Sequence, residues 1–258
     1  MTACESEPGR VVADGFEVDY FHYSQAAISD RAVIIMPPTG GTTFLESRYA
    51  SRFCQAGFSV YVVSAWTGMS ETSVELAIHN RLFGRAQRAI QAITEQAPEA
   101  LVGLLGTSVG GLHAATAAGH LAGVSATFVI AAGAPVASVI AFTDQKALKT
   151  LRERRMEKFG FDSQAAYRDA LAQEFHWEPL AFADAARDRP LGMVVVRGDR
   201  TVPTLYQEQL REAWQPDVEY SVSGFPVGAH AVGILQAWWF HAQDILDFFV
   251  EASDPVQT

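Results

Sequence analysis

The chain has 258 residues, of which 49% are hydrophobic and 19% are charged, and its net charge at pH 7 is −10. This length and apolar fraction suffice for one α/β domain with a buried core, and they exclude a wholly disordered chain. The negative charge would repel nucleic acid and anionic membrane surfaces, so we expect neither as a partner.

The cysteine content and the N-terminus bear on the cellular compartment. The sequence contains two cysteines, Cys4 and Cys54, which are too few for a disulfide framework in a chain of this size and favour reduced thiols. The first eight residues are polar and acidic, unlike the basic start and apolar stretch of a signal peptide. We therefore expect a cytoplasmic protein. No cysteine or histidine set has metal-ligand spacing, so no metal or other cofactor is implied.

Short apolar runs alternate with amphipathic stretches along most of the chain. In chain order the pattern predicts an edge hairpin over residues 11–23, a strand over 32–36, a helix over 46–56, a strand over 58–65, a long helix over 73–96, a strand over 101–105, a helix over 110–118, strands over 125–132, 191–197 and 218–222, and a closing helix over 231–249. Strands that are apolar on both faces and alternate with helices indicate the α/β class. We therefore expect a mostly parallel central sheet with helices on both faces.

One stretch, residues 108–143, contains no Asp, Glu, Lys or Arg and is long enough to raise the question of a membrane span. Six glycines and prolines interrupt it, including Gly119 and Pro135, and it also carries His113 and His120. A buried helix followed by a buried parallel strand explains this composition better than a span does.

The strand–helix alternation lapses over residues 137–189, which are helical in pattern. We interpret this segment as a small helical cap inserted into a core formed by residues 1–136 and 190–258, above the edge where open α/β sheets bind ligands. Its first half is basic between residues 146 and 155, which predicts a solvated helix face, with attraction of an acidic substrate as the alternative. Its second half is rich in aromatic side chains, which suggests contact with an apolar part of a substrate, with attachment of the cap to the core as the alternative.

Ser108 is the strongest candidate for a chemical role, because it stands in the sequence Gly106-Thr107-Ser108-Val109-Gly110 between a predicted strand and a predicted helix. A sharp strand–helix turn lifts the serine hydroxyl clear of the sheet, and small residues two positions before and after it relieve the resulting crowding. The pattern therefore predicts a nucleophilic serine. The alternative is a tight turn without catalytic purpose.

Asp199 and His230 are the candidate partners of Ser108. Asp199 follows the strand predicted over 191–197, and His230 follows the strand predicted over 218–222 in a glycine-rich loop. In this position His230 could take the proton of Ser108 while Asp199 holds its other ring nitrogen. A turn aspartate that caps the next helix and an incidental loop histidine are the alternatives. Among the other histidines, His176 is a minor candidate for substrate contact.

Charge that develops on a carbonyl oxygen requires preorganised backbone donors. The N–H of Val109, at the start of the predicted helix, is one candidate. The second should come from the loop over residues 37–41, and because Pro37 and Pro38 have no N–H, the donor is Thr39 or Gly40. A phosphate-binding glycine loop is disfavoured, since neither G-x-G-x-x-G nor G-K-[ST] follows any predicted strand.

With these features the chain resembles the α/β-hydrolase superfamily over roughly residues 31–136 and 190–252. Four segments carry the resemblance: the loop over 37–41, the turn over 106–110, the pair Gly198-Asp199, and the triplet Gly228-Ala229-His230. Many members of the superfamily carry His-Gly where this chain has two prolines, which leaves the choice between Thr39 and Gly40 open.

The resemblance implies Ser108 as nucleophile, His230 as base and Asp199 as the acid that orients it. It also implies an oxyanion hole formed by the N–H of Val109 and that of Thr39 or Gly40. The expected function is hydrolysis of a small or medium-sized carboxylic ester, partly apolar, through an acyl-enzyme. The superfamily also includes acyltransferases, thioesterases and non-catalytic binding proteins, which stay open, whereas peptidase activity is disfavoured. The sequence leaves the oligomeric state open, a homo-oligomer included.

Overall fold

The strands form one mixed sheet. The computed structural model describes residues 4–13, 15–26, 29–65, 74–97, 101–223 and 229–254. Within these ranges the strands are β1 (Glu5–Ala13), β2 (Phe16–Ser24), β3 (Arg31–Met36), β4 (Ser59–Ala65), β5 (Leu101–Thr107), β6 (Val124–Ile130), β7 (Leu191–Val196) and β8 (Val218–Val222). Their order in the sheet is β1-β2-β4-β3-β5-β6-β7-β8. Strand β2 pairs antiparallel with β1 and β4, and all other pairs are parallel, which confirms a mostly parallel sheet.

Helices cover both faces of this sheet. They are α1 (Phe44–Gln55), α2 (Ile78–Thr94), α3 (Val109–His120), α4 (Val136–Phe142), α5 (Lys146–Phe159), α6 (Gln164–Glu174), a 3₁₀ turn (Pro179–Phe182), α7 (Ala183–Ala186), α8 (Thr204–Trp214) and α9 (Ala229–Ser253). Along β3, Ile34 packs into the core beneath α2 and α3, whereas Val33 and Ile35 pack into the core beneath α1 and α9. The strand's period of two thus gives the sheet two buried faces.

Among the predicted boundaries that differ from the observed ones, three concern α2, β6 and α9. The helix predicted over 73–96 begins at Ile78, and residue 73 itself lies outside the described ranges. The strand predicted to reach residue 132 ends at Ile130, since Ala131 adopts φ +53° and leaves the extended conformation. Helix α9 begins at Ala229, so His230 lies in a first helical turn and its placement in a loop was wrong. The glycine-rich residues 224–228 lie outside the described ranges.

The two cysteines are not free thiols: Cys4 and Cys54 form a disulfide bond. The expectation of reduced cysteines was therefore wrong, and the cytoplasmic location loses the support that it drew from them. The fold brings the residue before β1 to within 6.1 Å, Cα to Cα, of the last turn of α1, although 50 positions separate the two cysteines. The Cα–Cα distance lies in the range that a disulfide spans. The number of cysteines alone could not show that the two residues lie this close together.

The segment between β6 and β7 contains α4 to α7 and the 3₁₀ turn, and its division from the core as a cap stays a prediction. The basic face of α5 is only partly solvated. Lys146, Lys149 and Arg154 are exposed, but Arg152 and Arg155 are buried. Their guanidinium groups bond inside the protein, which the charge pattern alone could not show: Arg152 donates to the carbonyl oxygen of Ala141 at 2.7 Å.

The uncharged stretch over residues 108–143 forms α3, β6 and α4, as part of the folded domain. Among the described residues, none of the helices combines the length and the apolar character that crossing a bilayer requires.

Candidate active site

Ser108 occupies the turn between β5 and α3 in a conformation that non-glycine residues rarely adopt, with φ 55° and ψ −120°. Hydrogen bonds on both sides hold this backbone. The N–H of Ser108 donates to the carbonyl oxygen of Ile130 at 2.9 Å, and its own carbonyl oxygen accepts from the N–H of Leu112 at 3.0 Å. The side chain is 5% exposed, so the hydroxyl lies in a restricted position at the carboxyl edge of the sheet.

Gly106 and Gly110 are required by the packing around this turn. A Cβ atom at Gly106 would lie 2.5 Å from the carbonyl oxygen of Gly110, and one at Gly110 would lie 2.2 Å from the carbonyl oxygen of Met36. Both distances are well inside van der Waals contact, and the opposing atoms belong to backbone that cannot move aside. The two glycines therefore permit the close approach of β3, β5 and α3 that the turn needs.

The side chains of Ser108, His230 and Asp199 form a continuous hydrogen-bonded chain. His230 Nε2 lies 2.8 Å from Ser108 Oγ, and His230 Nδ1 lies 2.6 Å from Asp199 Oδ2. Because a carboxylate can only accept, Nδ1 carries the proton and Nε2 is left with a lone pair toward the serine hydroxyl. This arrangement can remove a proton from the serine as its oxygen attacks an electrophile.

The carboxylate of Asp199 is fully buried and is held by further donors. Its Oδ1 accepts from the backbone N–H of Thr201 at 2.8 Å and of Val202 at 3.2 Å. Its Oδ2 accepts from the side-chain amide of Gln207 at 3.1 Å as well as facing His230. These donors compensate the desolvation of the charge and fix the plane of the carboxyl group.

Gln207 belongs to this constellation, although nothing in its sequence context singles it out. The residue is completely buried on α8; its Oε1 accepts from the N–H of Val196 at 2.9 Å, and its Nε2 also donates to the carbonyl oxygen of Val202 at 2.7 Å. A glutamine eight positions after an aspartate resembles any helix-surface glutamine. Only the fold shows that it joins the end of β7 to the aspartate.

The proposed backbone donors lie near the serine. Val109 is the first residue of α3, and the first N–H groups of a helix have no partner within it. In the loop after β3, Gly40 and Gly41 have φ +99° and +94°, and the N–H of Gly41 donates back to Pro38 at 3.1 Å. This closes a tight turn with Thr39 and Gly40 at its tip. Both residues are exposed, but Thr39 lines both cavities that meet at Ser108, whereas Gly40 lines neither.

Two cavities meet at Ser108. The inner cavity, of about 90 Å³, has mainly apolar walls that include Phe16, Phe83, Val136, Val139, Ile140 and Leu148. The outer cleft, of about 900 Å³, is more open and is lined by His230 together with polar side chains such as Asp144 and Arg200. A group bonded to Ser108 Oγ could therefore extend inward into an apolar space or outward toward solvent.

Of the remaining histidines, two line a cavity and His176 lies at the surface. His79 and His113 line the inner cavity, and burial lowers the pKa of each imidazole to about 3, so both are neutral at pH 7. For His79 the charge of Arg155 contributes to the shift. His176 is exposed, and its N–H donates to Asn80, so it lies on the surface and not in either cavity wall.

The aromatic side chains of residues 159–182 do not line the two cavities, as far as the described residues show. Phe175, for example, packs edge-on against Phe83, with ring centroids 4.8 Å apart. The apolar wall comes instead from α4, α5, α2 and β2. In the part of the chain that the structure describes, no group of three or more His, Cys, Asp and Glu side chains is arranged to hold a metal ion.

Comparison with solved structures identifies the fold. The acylaminoacyl peptidase of Pyrococcus horikoshii superimposes with a TM-score of 0.67 at 14% identity over 97% of this chain, which spans 41% of that protein's length. An esterase from Pyrococcus furiosus gives 0.64 at 14% identity, with 96% of this chain and 93% of the esterase covered. A putative dienelactone hydrolase from Klebsiella pneumoniae gives 0.60 at 11% identity, with 96% and 99% covered.

No protein-family model matches the sequence, and no curated protein matches it. The structural likeness alone is sufficient to classify the domain: the chain has the α/β-hydrolase fold, as its resemblance to that superfamily implied.

Proposed function

We propose that the protein is a serine hydrolase that cleaves a small or medium-sized carboxylic ester. The observation that carries this proposal is the hydrogen-bonded chain from Ser108 Oγ through His230 to the buried carboxylate of Asp199. A structural role alone would not require a strained serine backbone beside an imidazole lone pair at the meeting point of two cavities. The esterase and the dienelactone hydrolase with the same fold add support by analogy.

The reaction follows from the positions of these groups. Ser108 Oγ attacks the acyl carbonyl carbon while His230 Nε2 accepts the hydroxyl proton, and Asp199 stabilises the imidazolium that forms. The carbonyl oxygen becomes an oxyanion that receives hydrogen bonds from the N–H of Val109 and of Thr39, each worth about 3 kcal/mol in the transition state. His230 then gives its proton to the departing alcohol, which leaves an acyl-enzyme.

The second half-reaction releases the acid. Water enters from the outer cleft and its oxygen attacks the acyl carbon while His230 Nε2 removes its proton. The tetrahedral intermediate then collapses, the bond from the acyl carbon to Ser108 Oγ breaks, and His230 returns the proton to Oγ, which frees the acid and the serine. We assign the acyl group to the inner cavity and the alcohol to the outer cleft, because the inner cavity is apolar and small while the cleft is open. The open cleft favours hydrolysis over acyl transfer, which requires that water be excluded.

The proposal is tested with 4-nitrophenyl esters from acetate to octanoate and with matched thioesters, using the wild type and Ser108→Ala. We expect ester turnover that falls by about 10³-fold or more in Ser108→Ala. Ser125→Ala is the matched control, since Ser125 Oγ bonds to the carbonyl oxygen of Val102 within the sheet. Its activity should equal that of the wild type.

Product analysis with added alcohol or thiol separates hydrolysis from acyl transfer. Free acid as the main product supports the proposal, whereas a new ester or thioester as the main product identifies an acyltransferase. Absence of turnover on every ester and thioester by folded wild type, or full activity in Ser108→Ala, would contradict a serine hydrolase. A ligand-binding protein with this fold would then be the better account.

A further inference from the structure

Arg85 brings a positive charge to the wall of the inner cavity. It lies on α2, and its guanidinium stacks on the ring of Phe16 with 4.9 Å from Cζ to the ring centroid. Phe16 lines the same cavity, so the stacking holds the guanidinium plane in place against an apolar wall. The charge is therefore held at the wall of the space that we assign to the acyl group, between that cavity and a surface pocket that Arg85 also lines.

The guanidinium of Arg85 has an unused donor. Its Nη1 is buried and has no hydrogen-bond partner within the described residues, nor does any carboxylate there form an ion pair with Arg85. A buried N–H of a charged group without an acceptor is costly, and native proteins keep few of them. Nη1 itself is closed to solvent, but the other N–H groups of the Arg85 guanidinium are not bonded to any described residue either, and they indicate a ligand oxygen, because arginine is the residue best suited to bind a carboxylate through two parallel hydrogen bonds.

His79 supplies a second donor to the same cavity. Arg155 Nη1 lies 2.8 Å from His79 Nε2, and since a guanidinium can only donate, Nε2 must be the acceptor. The neutral ring therefore carries its proton on Nδ1. That atom has no hydrogen-bond partner among the residues described, so its N–H is available to a ligand. Tyr167 Oη, 2.9 Å from Arg155 Nη1, helps to hold this arrangement.

The electrostatic character of the cavity is consistent with these donors. Among the described residues no Asp or Glu lines it, although the whole chain has a net charge of −10. Arg85 lies in its wall and Arg155 directly behind His79. An anion in this cavity would meet two cations and no opposing carboxylate, whereas a purely hydrocarbon acyl chain would leave both donors without acceptors.

We infer that Arg85 is a specificity-determining residue that binds a carboxylate on the acyl group, and that the substrate is a monoester of a short dicarboxylic acid. This inference rests on the proposed serine hydrolase function. The apolar walls contact the methylene groups, Ser108 attacks the ester carbonyl, and the far carboxylate lies against Arg85 with the N–H of His79 as an additional donor. The cavity of about 90 Å³ limits the acyl chain to a few carbon atoms.

The test compares each dicarboxylic monoester with its neutral isostere. Monoethyl succinate is paired with ethyl 4-methylpentanoate, and monoethyl glutarate with ethyl 5-methylhexanoate, with acid release followed in a pH-stat. We expect kcat/KM of the wild type to favour the charged ester by about tenfold or more. Arg85→Met should remove this preference by raising KM for the charged esters, and Arg85→Lys should restore part of it because the charge returns.

Arg81→Met is the matched control. Arg81 lies on the same helix, pairs with Glu75 at the surface and does not line the inner cavity, so this variant loses the same formal charge elsewhere. The charged-to-neutral ratio should stay at the wild-type value. A ratio that is unchanged in Arg85→Met, or that falls equally in Arg81→Met, overturns the inference while the hydrolase proposal stands. Failure of the wild type to hydrolyse any ester counts against the proposed function itself.

Discussion

Gln207 and Asp199 are joined by a hydrogen bond of 3.1 Å to Asp199 Oδ2, the same oxygen that lies 2.6 Å from His230 Nδ1. Through its other contacts Gln207 also joins the last residue of β7, Val196, to the loop after it. The orientation of the imidazole thus depends on a buried amide that lines neither of the two cavities. In this account Gln207 is a positioning residue.

Gln207→Met should lower kcat by about tenfold with little change in KM, because the buried methionine cannot hold Asp199 in place and the imidazole loses its orientation. Loss of the acceptor for the N–H of Val196 should also lower the free energy of unfolding by about 1–3 kcal/mol. Gln209→Met, on the same helix, is the control for helix stability. Loss of stability in Gln207→Met with unchanged kcat would show a structural role only.

Gly110→Ala should disrupt the serine turn, because its Cβ would lie 2.2 Å from the carbonyl oxygen of Met36. Overpacking of this kind costs about 1–3 kcal/mol, and here the opposing atom is backbone, so we expect the upper end of that range together with loss of turnover. Thermal unfolding and ester hydrolysis measure the two effects.

Gly160→Ala is the control: it has φ +70° but open space around it, so stability should fall slightly and activity should persist. Wild-type stability in Gly110→Ala would contradict the packing described for this turn.

The disulfide should contribute substantially to stability. Closing a loop between cysteines 50 positions apart restricts the unfolded chain, and the loop-entropy argument assigns about 4 kcal/mol to a loop of this length. A reductant should therefore lower the urea midpoint of the wild type and leave that of Cys4→Ser unchanged. Cys4 is the position to substitute, since Cys54 is completely buried and its replacement would disturb the core as well. An unaltered midpoint of fully reduced wild type would contradict a stabilising bond.

Glu178 should make stability depend on pH. Burial raises the pKa of its carboxyl from 4.5 to about 7, although its Oε2 accepts from the N–H of Val136 at 2.8 Å. The folded state then holds a proton that the unfolded state has lost, so the contribution of Glu178 to stability is complete below pH 4.5 and is lost as the pH rises to about 7. The decrease should amount to about 3 kcal/mol.

Urea unfolding of wild type and Glu178→Gln across this pH range isolates that contribution, because the two curves should diverge as the pH rises. Glu174→Gln, at an exposed position, should leave the curve unchanged. Parallel curves for wild type and Glu178→Gln would show that the carboxyl has an ordinary pKa.

The features predicted correctly from the sequence depend on local chemistry. Pro37 and Pro38 end a strand because they lack an N–H, and Gly106 and Gly110 mark a turn whose crowding follows from its own backbone. The proximity of Ser108, Asp199 and His230 could be predicted because each residue follows a strand of a parallel sheet, and the carboxyl ends of such strands meet at one edge, whereas their catalytic roles stay a prediction. The structure does bring these three side chains together.

The features that were missed depend on contacts between distant segments. The pairing of Cys4 with Cys54, the burial of Arg155 and the bond from Gln207 to Asp199 are set by how helices pack on the sheet. The sequence around such residues does not show whether they are buried in the core or exposed at the surface. This holds for a cysteine, for an arginine in a basic run and for a glutamine on a helix. The predicted start of α9 is two residues too late, because the glycine-rich sequence before it favours a loop that extends to His230.

Whether Ser108 is activated is measured by labelling wild type and Ser108→Ala with a fluorophosphonate and reading the intact mass of each. The probe phosphonylates a serine only when a neighbouring base activates it. The geometry of Ser108 and His230 predicts one adduct per molecule of wild type and none in Ser108→Ala. Folded wild type that gains no adduct, or Ser108→Ala that gains the same adduct, would contradict an activated Ser108.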